Sequence, residues 1–342
     1  MNKIKSLAEI DTENNITHFD CFNQSEHSVR PNKVLIHNPL PYGGFKCFDH
    51  KHNDDIQKDI LFRSKPDPEL FSEQYNAFVS TLENTGLEVI SLSEILGHDM
   101  VMKFVEEFSI NPNFVYTRDA LITLPWEPEG YIRGSMQKLI RQTEPIVMEI
   151  AAKNLGLRPI IKVPEHLFLE GGDVIPFEFN GKRMLLMGFG RRTTLDTIFY
   201  LKDTLIQDGI VDEIIGFSLA SWRINLDGGC VPISNNLVIM HESSLLSAYR
   251  FTKTDQTQIE PKSFFEEMGY QILAAEQHET IFKQACNIFC CGEKKIICYN
   301  MSQTTLAQLG ETDLNIYPID GSELVIGTGG PRCMTRPIYT HG

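Results

Sequence analysis

The 342-residue chain is long enough for about two average domains or one large one, and 42% apolar with 22% charged residues is a globular composition with material for a sizeable core. Lys and Arg total 31 against 45 Asp and Glu, a formal net charge of −14. Without a long basic run, that balance excludes general polyanion binding, and with it nucleic acid as a partner, while weakly favouring a small cationic ligand. No stretch approaches the ~20 apolar residues that span a bilayer, so no membrane partner is expected. The opening MNKIKSLAEIDTENNITHFD has no apolar core of a signal peptide. Eight cysteines, none in a CxxC pair, are too sparse for a disulfide scaffold. A reducing, cytoplasmic setting with free thiols is expected.

Residues 1–30 are polar and read as an arm ahead of a single domain over 31–342. Lys33-Val-Leu-Ile-His37 reads as a short buried strand ended by Asn38-Pro39 and the turn Pro41-Tyr-Gly-Gly44. From Pro68, the residues Phe71, Tyr75, Phe78, Val79 and Leu82 fall at helical spacing, with Gly86 at a C-cap position. A strand over 87–90 and a helix over 94–108 follow, then a strand over 114–124. A helix is expected over 135–155, closed by Gly156, then a strand over 158–163. Further on come strand 184–187, helix 194–206 closed near Gly209, strands 211–217 and 236–241, helix 261–268 with Gly269, and strand 270–273. Strands within 286–299 and at 314–318 flank a helical stretch at 302–309. The recurring unit is strand, helix, glycine stop, strand, with a crude period of about 60 residues and four or five copies. Alternation of this kind also fits a doubly wound sheet.

Several motifs carry chemistry-bearing residues. In Glu170-Gly-Gly-Asp173 two carboxylates bracket glycines that permit close approach of a ligand. Tyr116-Thr-Arg118-Asp119 and Asn225-Leu226-Asp227-Gly228-Gly229-Cys230 each place a carboxylate in a turn. Gly188-Phe-Gly190-Arg191-Arg192-Thr193-Thr194 precedes a helix but lacks the GxGxxG spacing of a dinucleotide fold. Most informative is Gly327-Thr-Gly-Gly-Pro-Arg332-Cys333-Met-Thr335, a cysteine after a glycine-rich loop and an arginine able to lower its pKa. Cys230 is a weaker competitor as nucleophile. The His50-Lys51-His52 pair lacks further ligands at metal spacing, so no metal is expected.

Taken in order from about residue 32 to 337, these segments resemble the guanidino-group-modifying, or pentein, superfamily, closest to its arginine deiminase branch. The matching stretches are Lys33-Val-Leu-Ile-His-Asn-Pro39, Phe114-Val-Tyr-Thr-Arg-Asp119, Leu169-Glu-Gly-Gly-Asp-Val174, Arg192-Thr-Thr194 and Gly329-Gly-Pro-Arg-Cys-Met-Thr335. The resemblance implies an α/β fold, a five-bladed αβ-propeller of pseudo-fivefold ββαβ modules with the ligand in the central channel. The helical insertion that bacterial arginine deiminases carry after the position of Leu96 is mostly absent here.

By the same resemblance, Asp119 and Asp227 clamp a guanidinium, Cys333 is the nucleophile and Glu170 orients the acid/base. Asp173 joins the substrate-binding set, Arg192 is the leading partner for a substrate carboxylate, and Arg141 is a second, with Arg133 also open. Arg191 and Arg332 would tune the electrostatics. The chemistry needs carboxylates paired with the N–H groups, a thiolate above the guanidinium plane and a proton donor for the leaving amine. The implied reaction is cysteine-dependent hydrolysis of L-arginine or a relative through a thiouronium, with no metal or organic cofactor. An amidinotransferase is the alternative within that chemistry, and a guanidino-binding protein without turnover is the alternative outside it. A homo-oligomer is left open.

The chain departs from the family pattern at one point: Asn225-Leu226-Asp227 stands where the family has His-x-Asp. An amide does not titrate near neutral pH, and loss of an acid/base group costs roughly 10²–10⁴-fold. Four explanations fit: a substitution introduced to trap a complex, a ligand-binding relative, a proton donor from His166, His241 or His341, or chemistry that needs no imidazole there.

Overall fold

A computed structural model describes residues 23–49, 51–108 and 111–341. The chain is a mixed α/β fold built on five sheets. The strands in chain order are β1 (Lys33–Ile36), β2 (Glu88–Ser91), β3 (Leu121–Ile122), β4 (Gly130–Arg133), β5 (Arg158–Ile161), β6 (Val174–Phe179), β7 (Lys182–Phe189) and β8 (Glu213–Leu219). They continue with β9 (Cys230–Ser234), β10 (Leu237–Met240), β11 (Leu245–Phe251), β12 (Gln256–Ile259), β13 (Gln271–Ala274), β14 (Phe289–Cys290), β15 (Lys295–Tyr299), β16 (Asn315–Ile319) and β17 (Arg336–Ile338).

Each sheet contains the same triad: a central strand antiparallel to one neighbour and parallel to the other. The triads are β3-β4-β5, β6-β7-β8, β9-β10-β13 and β14-β15-β16, while β1 pairs in parallel with β2 and antiparallel with the C-terminal β17. A parallel pair needs a crossover, and a helix lies in every one: Pro68–Asn84, Glu144–Asn154, Leu195–Leu201, Pro261–Glu266 and Gln303–Gly310. The hairpin β11–β12 extends the third sheet to five strands. The last four central strands begin at residues 130, 182, 237 and 295, close to the expected 60-residue period.

The helix Pro68–Asn84 shows why these residues fold as they do. Asp67 caps it by accepting from the N–H groups of Glu69 and Leu70, and Pro68 occupies a first-turn position that needs no donor. Phe71, Tyr75, Phe78 and Leu82 form its buried face, and Gly86, at φ 86°, takes the left-handed turn after its end. Four apolar cores lie between neighbouring units. One joins β1 to β3 and β4 through Leu35, Leu121 and Tyr131. A second joins the β4 and β7 sheets through Ile132 and Leu185, and a third joins β7, β10 and β15 through Leu186, Ile239 and Ile296. The fourth joins the last unit back to the first, through Ile297, Val34 and Phe71.

Several elements differ from expectation. The 114–124 stretch is a 3-10 turn, Pro112–Val115, and a loop that reaches strand geometry only at Leu121–Ile122. Its backbone is committed elsewhere: the Arg118 N–H donates to the Cys333 carbonyl and the Asp119 carbonyl accepts from Gly171 N–H, each at 3.0 Å. The helix expected over 135–155 begins at Glu144, because Ser135 pairs with Leu169 across a β-bridge. The 94–108 helix is two, Leu92–Leu96 and His98–Phe108, broken at Gly97 (φ 82°).

Residues 1–22 of the expected polar arm lie outside the described residues, as does His50. The rest of the arm is packed. Ser25, Glu26 and His27 are buried, and Glu26 N–H donates to the Pro176 carbonyl at 3.0 Å. Among the described residues no helix is long and apolar enough to cross a membrane, no metal-ligating cluster forms, and the seven cysteines are free thiols.

Candidate active site

The site is assembled from one recurring position. Asp119, Asp173, Asp227, Asn287 and Cys333 each lie within three residues of the start of β3, β6, β9, β14 and β17, the strand that runs antiparallel in its unit. The loops holding them are stitched together. Gly172 N–H donates to Asp119 Oδ1 at 2.9 Å, and Leu226 N–H to Asp173 Oδ1 at 2.8 Å. Cys333 N–H donates to Asn287 Oδ1 at 3.0 Å. Glycines make the approach possible. A Cβ on Gly171 would stand 2.1 Å from the Arg118 carbonyl oxygen, and one on Gly330 2.8 Å from Asn287 Cβ.

Cys333 is buried, with its Sγ 3.0 Å from Asn287 Nδ2 and 3.5 Å from Asp227 Oδ2. Burial, and after it the charges of Asp227 and Asp119, push the thiol well above its ordinary value; the Gly330 N–H and the Asn287 amide pull the other way. Asp227 Oδ2 also accepts from Arg332 Nη1 at 2.9 Å. Burial raises the Asp227 carboxyl and Arg332 opposes it.

Asp119 Oδ2 accepts from Arg141 Nη1 at 2.7 Å, and Arg141 forks onto both oxygens of Glu144 at 2.7–3.1 Å. Arg192 Nη1 donates to Glu170 Oε1 and Oε2 at 3.0 and 3.1 Å. Asn225 Nδ2 bridges Glu170 Oε2 at 3.2 Å and Asp173 Oδ2 at 2.9 Å. This fixes the amide orientation, since the reverse would set its oxygen against two carboxylates. With Nδ2 so occupied, Asn225 has only Oδ1, an acceptor, to offer a ligand. Burial, with the charge of Glu170 behind it, raises the Asp173 carboxyl well above its usual range against the hydrogen bonds of Thr193 and Asn225.

Two adjoining cavities share Ile224, Asn225, Thr328 and Cys333 in their walls. The inner one, about 30 Å³, is lined by Asp119, Arg141 and Arg192 as well. The outer one, about 430 Å³, opens from Asp227 and Cys333 toward Arg63, Arg191 and Arg223. Thr328 stands at their junction with φ 70°, a left-handed conformation unusual for a β-branched residue and held between Gly327 and Gly329.

Thus Cys333 and Asn225 stand in the wall of both cavities, with Asp119, Arg141 and Arg192 lining the inner one and Asp227 the outer one. Glu170 and Asp173 line neither cavity and stand behind Asn225 as its hydrogen-bond acceptors. Arg133 lies apart, paired with Glu149 at 2.9 Å. Cys230 is packed in the core between the third and fifth units, and burial pushes its thiol well up. No histidine among the described residues lines either cavity. His166 and His341 are exposed, and His241 is buried with Nδ1 2.9 Å from Ser244 Oγ.

Two site residues carry no sequence motif. Asn287 holds Cys333 by both its backbone and its sulfur. Glu26 accepts from Arg332 Nη2 at 3.0 Å and from Arg118 Nη1 at 2.9 Å, beneath Asp227. Burial alone would raise the Glu26 carboxyl, but the guanidiniums of Arg118, Arg332 and Arg336 hold it down to about 2. For Asn287 the available signal was the repeat itself, which puts a polar residue at the same place in every unit. Glu26 left no such signal.

A buried cysteine set against paired carboxylates at the ends of repeated strand–strand–helix–strand units defines a protein of the guanidino-modifying, or pentein, superfamily. The family model described as Arginine deiminase matches residues 100–340, and the chain belongs to that family. The arginine deiminase of Mycobacterium marinum is 24% identical over 249 residues, which is 66% of this chain and 60% of that protein. The chain therefore matches less than two thirds of that relative's length. The arginine deiminase of Mycoplasma capricolum is 23% identical over 304 residues, 79% of this chain and 73% of the relative.

Among solved structures, the product-bound N-terminal domain of ArgZ, an arginine dihydrolase of Cyanobacteria, superposes with a TM-score of 0.66 at 18% identity, covering 90% of this chain and 97% of that one. A histidine-to-glycine variant of dimethylarginine dimethylaminohydrolase, in an adduct with S-methyl-L-thiocitrulline, gives a TM-score of 0.62 at 14% identity, covering 89% and 98%. These two likenesses establish the fold.

Proposed function

We propose that this chain is a cysteine-dependent hydrolase of a guanidino compound, L-arginine or a relative, working through a thiouronium on Cys333 without metal or organic cofactor. The observation that supports the reading is the placement of Cys333 between two adjoining cavities, one lined by Asp119 and the other by Asp227, whose charges both act on the thiol. Asp119 and Asp227 would hold the planar cation by charge-assisted hydrogen bonds. The Asn225 Oδ1 would add a third acceptor. Binding a cation between the two carboxylates that raise the Cys333 thiol would reverse that effect and favour the thiolate.

In the reaction we propose, the thiol proton passes to Asp227, 3.5 Å away. The sulfur forms a bond to the guanidinium carbon, the C–N bond breaks, and the proton leaves on ammonia. Water then adds to the thiouronium and the C–S bond breaks; one water proton returns to the sulfur, regenerating the Cys333 thiol, and the other leaves with ammonia as ammonium as the ureido product departs. The overall architecture we propose is a five-bladed αβ-propeller formed by a single domain over residues 31–342, with the buried residues 25–27 packed onto it. Its support is the five repeated triads and the apolar core that joins the last unit to the first.

One observation favours a second reading, a guanidino-binding protein that forms the adduct and resolves it slowly. Asn225, fixed by two carboxylates, carries no proton to give. Incubation with L-arginine, with assay of citrulline, ornithine and ammonia alongside intact-protein mass, separates the cases. Citrulline with ammonia supports hydrolysis. An amidine appearing on an added amine supports transfer. A persistent mass increment on Cys333 without product supports the slow reading. Absence of product, adduct and binding together would sink all three.

A further inference from the structure

The outer cavity is cationic on a protein that is strongly acidic as a whole. Arg63, Arg191 and Arg223 line it, and none of the three pairs with a carboxylate among the described residues. Arg63 is cation–π stacked on Phe282, 5.2 Å from the ring centroid, and donates to the carbonyls of Ile281 and Phe282. Arg191 is exposed. Arg223 is only 5% exposed, lies against Trp222 at 4.9 Å, and spends Nε on Ser244 Oγ at 3.1 Å. Its two Nη groups, Nη2 fully buried, meet no acceptor among the described residues. Gly228 leaves room for that guanidinium, since a Cβ there would stand 2.6 Å from Nη1. A buried guanidinium without an ion-pair partner is costly, and this one lies in the wall of a cavity large enough for a ligand.

Among the described residues, the only carboxylate in the wall of that cavity is Asp227, beside Cys333. An anionic group in this cavity therefore has three arginines to meet, whereas an ammonium meets three like charges and, among the described residues, one carboxylate, Asp227, which Arg332 already pairs. Trp222 and Phe282, 37% and 49% exposed, add apolar faces at the same opening.

We propose that Arg223, with Arg191 beside it, recognises a carboxylate at the far end of the substrate, and that the preferred substrates are guanidino acids whose α-amine is absent or acylated. This rests on the guanidino reading above and narrows its substrate class. Arg192 and Arg141, tied to Glu170, Asp119 and Glu144, serve the inner wall instead.

The test uses the full chain with Cys333→Ser, to prevent turnover, and calorimetric binding of five probes: γ-guanidinobutyrate, Nα-acetyl-L-arginine, L-arginine, agmatine and glutarate. The first two are expected to bind roughly ten- to hundredfold tighter than agmatine, the worth of a charge-assisted pair, and tighter than L-arginine. Arg223→Gln should remove that preference while leaving agmatine unchanged, and the exposed Arg191→Gln should reduce it in part with no risk to folding. L-arginine or agmatine binding as tightly as the acylated acid overturns the proposal and leaves the guanidino reading standing. So does an Arg223→Gln loss shared equally by all guanidino probes in a folded protein. Glutarate bound in an Arg223-dependent way, with no guanidino probe bound, would keep the anion site and remove the guanidino reading. No binding of any probe removes both.

Discussion

Arginines stand on both sides of Cys333, and the fold treats the two groups differently. Below it, Arg118 and Arg332 are fully buried and share the carboxylates of Glu26 and Asp227 at 2.9–3.1 Å. Above it, Arg63, Arg191 and Arg223 have aromatic rings, carbonyls and a hydroxyl for neighbours and, among the described residues, no ion-pair partner. The lower group is internally compensated, so it sets the position and charge of Asp227 and does not need a ligand. The upper group is uncompensated, so an anion is what completes it. Counting charges by residue type would miss this; the pairing decides what each arginine can do.

The sharpest break in that comparison is at the sulfur that separates the two groups. Cys333→Ser should lower turnover by roughly 10³-fold or more while leaving arginine binding, read by product assay and calorimetry. Unchanged turnover would remove the nucleophile.

Next comes the floor. Glu26→Gln removes the carboxylate paired with buried Arg118 and one of the two paired with Arg332, and should cost about 3–5 kcal/mol in urea unfolding. Because the folded Glu26 carboxyl is held down from 4.5 to about 2, its stabilisation is present above pH 4.5 and is lost as pH falls from there toward 2. A wild-type protein no more acid-sensitive than Glu26→Gln in that window would contradict the pairing.

Asn225→His should raise any deiminase activity, by up to roughly 10²-fold, the low end of an acid/base group's worth. No gain in a folded variant that still binds arginine would mean that this position is not one where a proton donor is missing.

Asn287→Ala removes a donor at 3.0 Å from Cys333 Sγ, so alkylation of that thiol should slow severalfold and its pH profile should move further up. A profile that stays in place would reduce Asn287 to a backbone clamp.

The smallest effect is expected at the mouth. Arg223→Gln should change stability by less than about 1 kcal/mol, since no ion pair is lost. A loss as large as that of Glu26→Gln would show that Arg223 is structural after all.

Much of the site was legible because its residues sit in short local motifs. Glu170-Gly-Gly-Asp173 and the Gly327–Cys333 loop need glycines where backbones touch, and such glycines are visible in any sequence. Helix Pro68–Asn84 was equally legible, with its cap, its apolar spacing and its stop all local. The strands β4, β6, β9 and β11 were not. Their apolar runs carry no helical or alternating pattern of their own, and their extended form is imposed by the strands they pair with. The loop at 117–120 misled for the same reason, its backbone groups going to Cys333 and Gly171.

By itself the sequence determined the repeating strand–helix–strand plan, the acidic balance and the identity of Cys333, Asp119 and Asp227 as candidates, since composition, periodicity and local motif depend on neighbours in the chain. Only the tertiary structure decided which charges meet. It put Glu26 from the presumed arm beneath Asp227, Asn287 against the sulfur, and Arg223 at the mouth without a partner. Electrostatic pairing depends on distances of a few ångströms between segments tens to hundreds of residues apart, and the folded chain alone sets those distances.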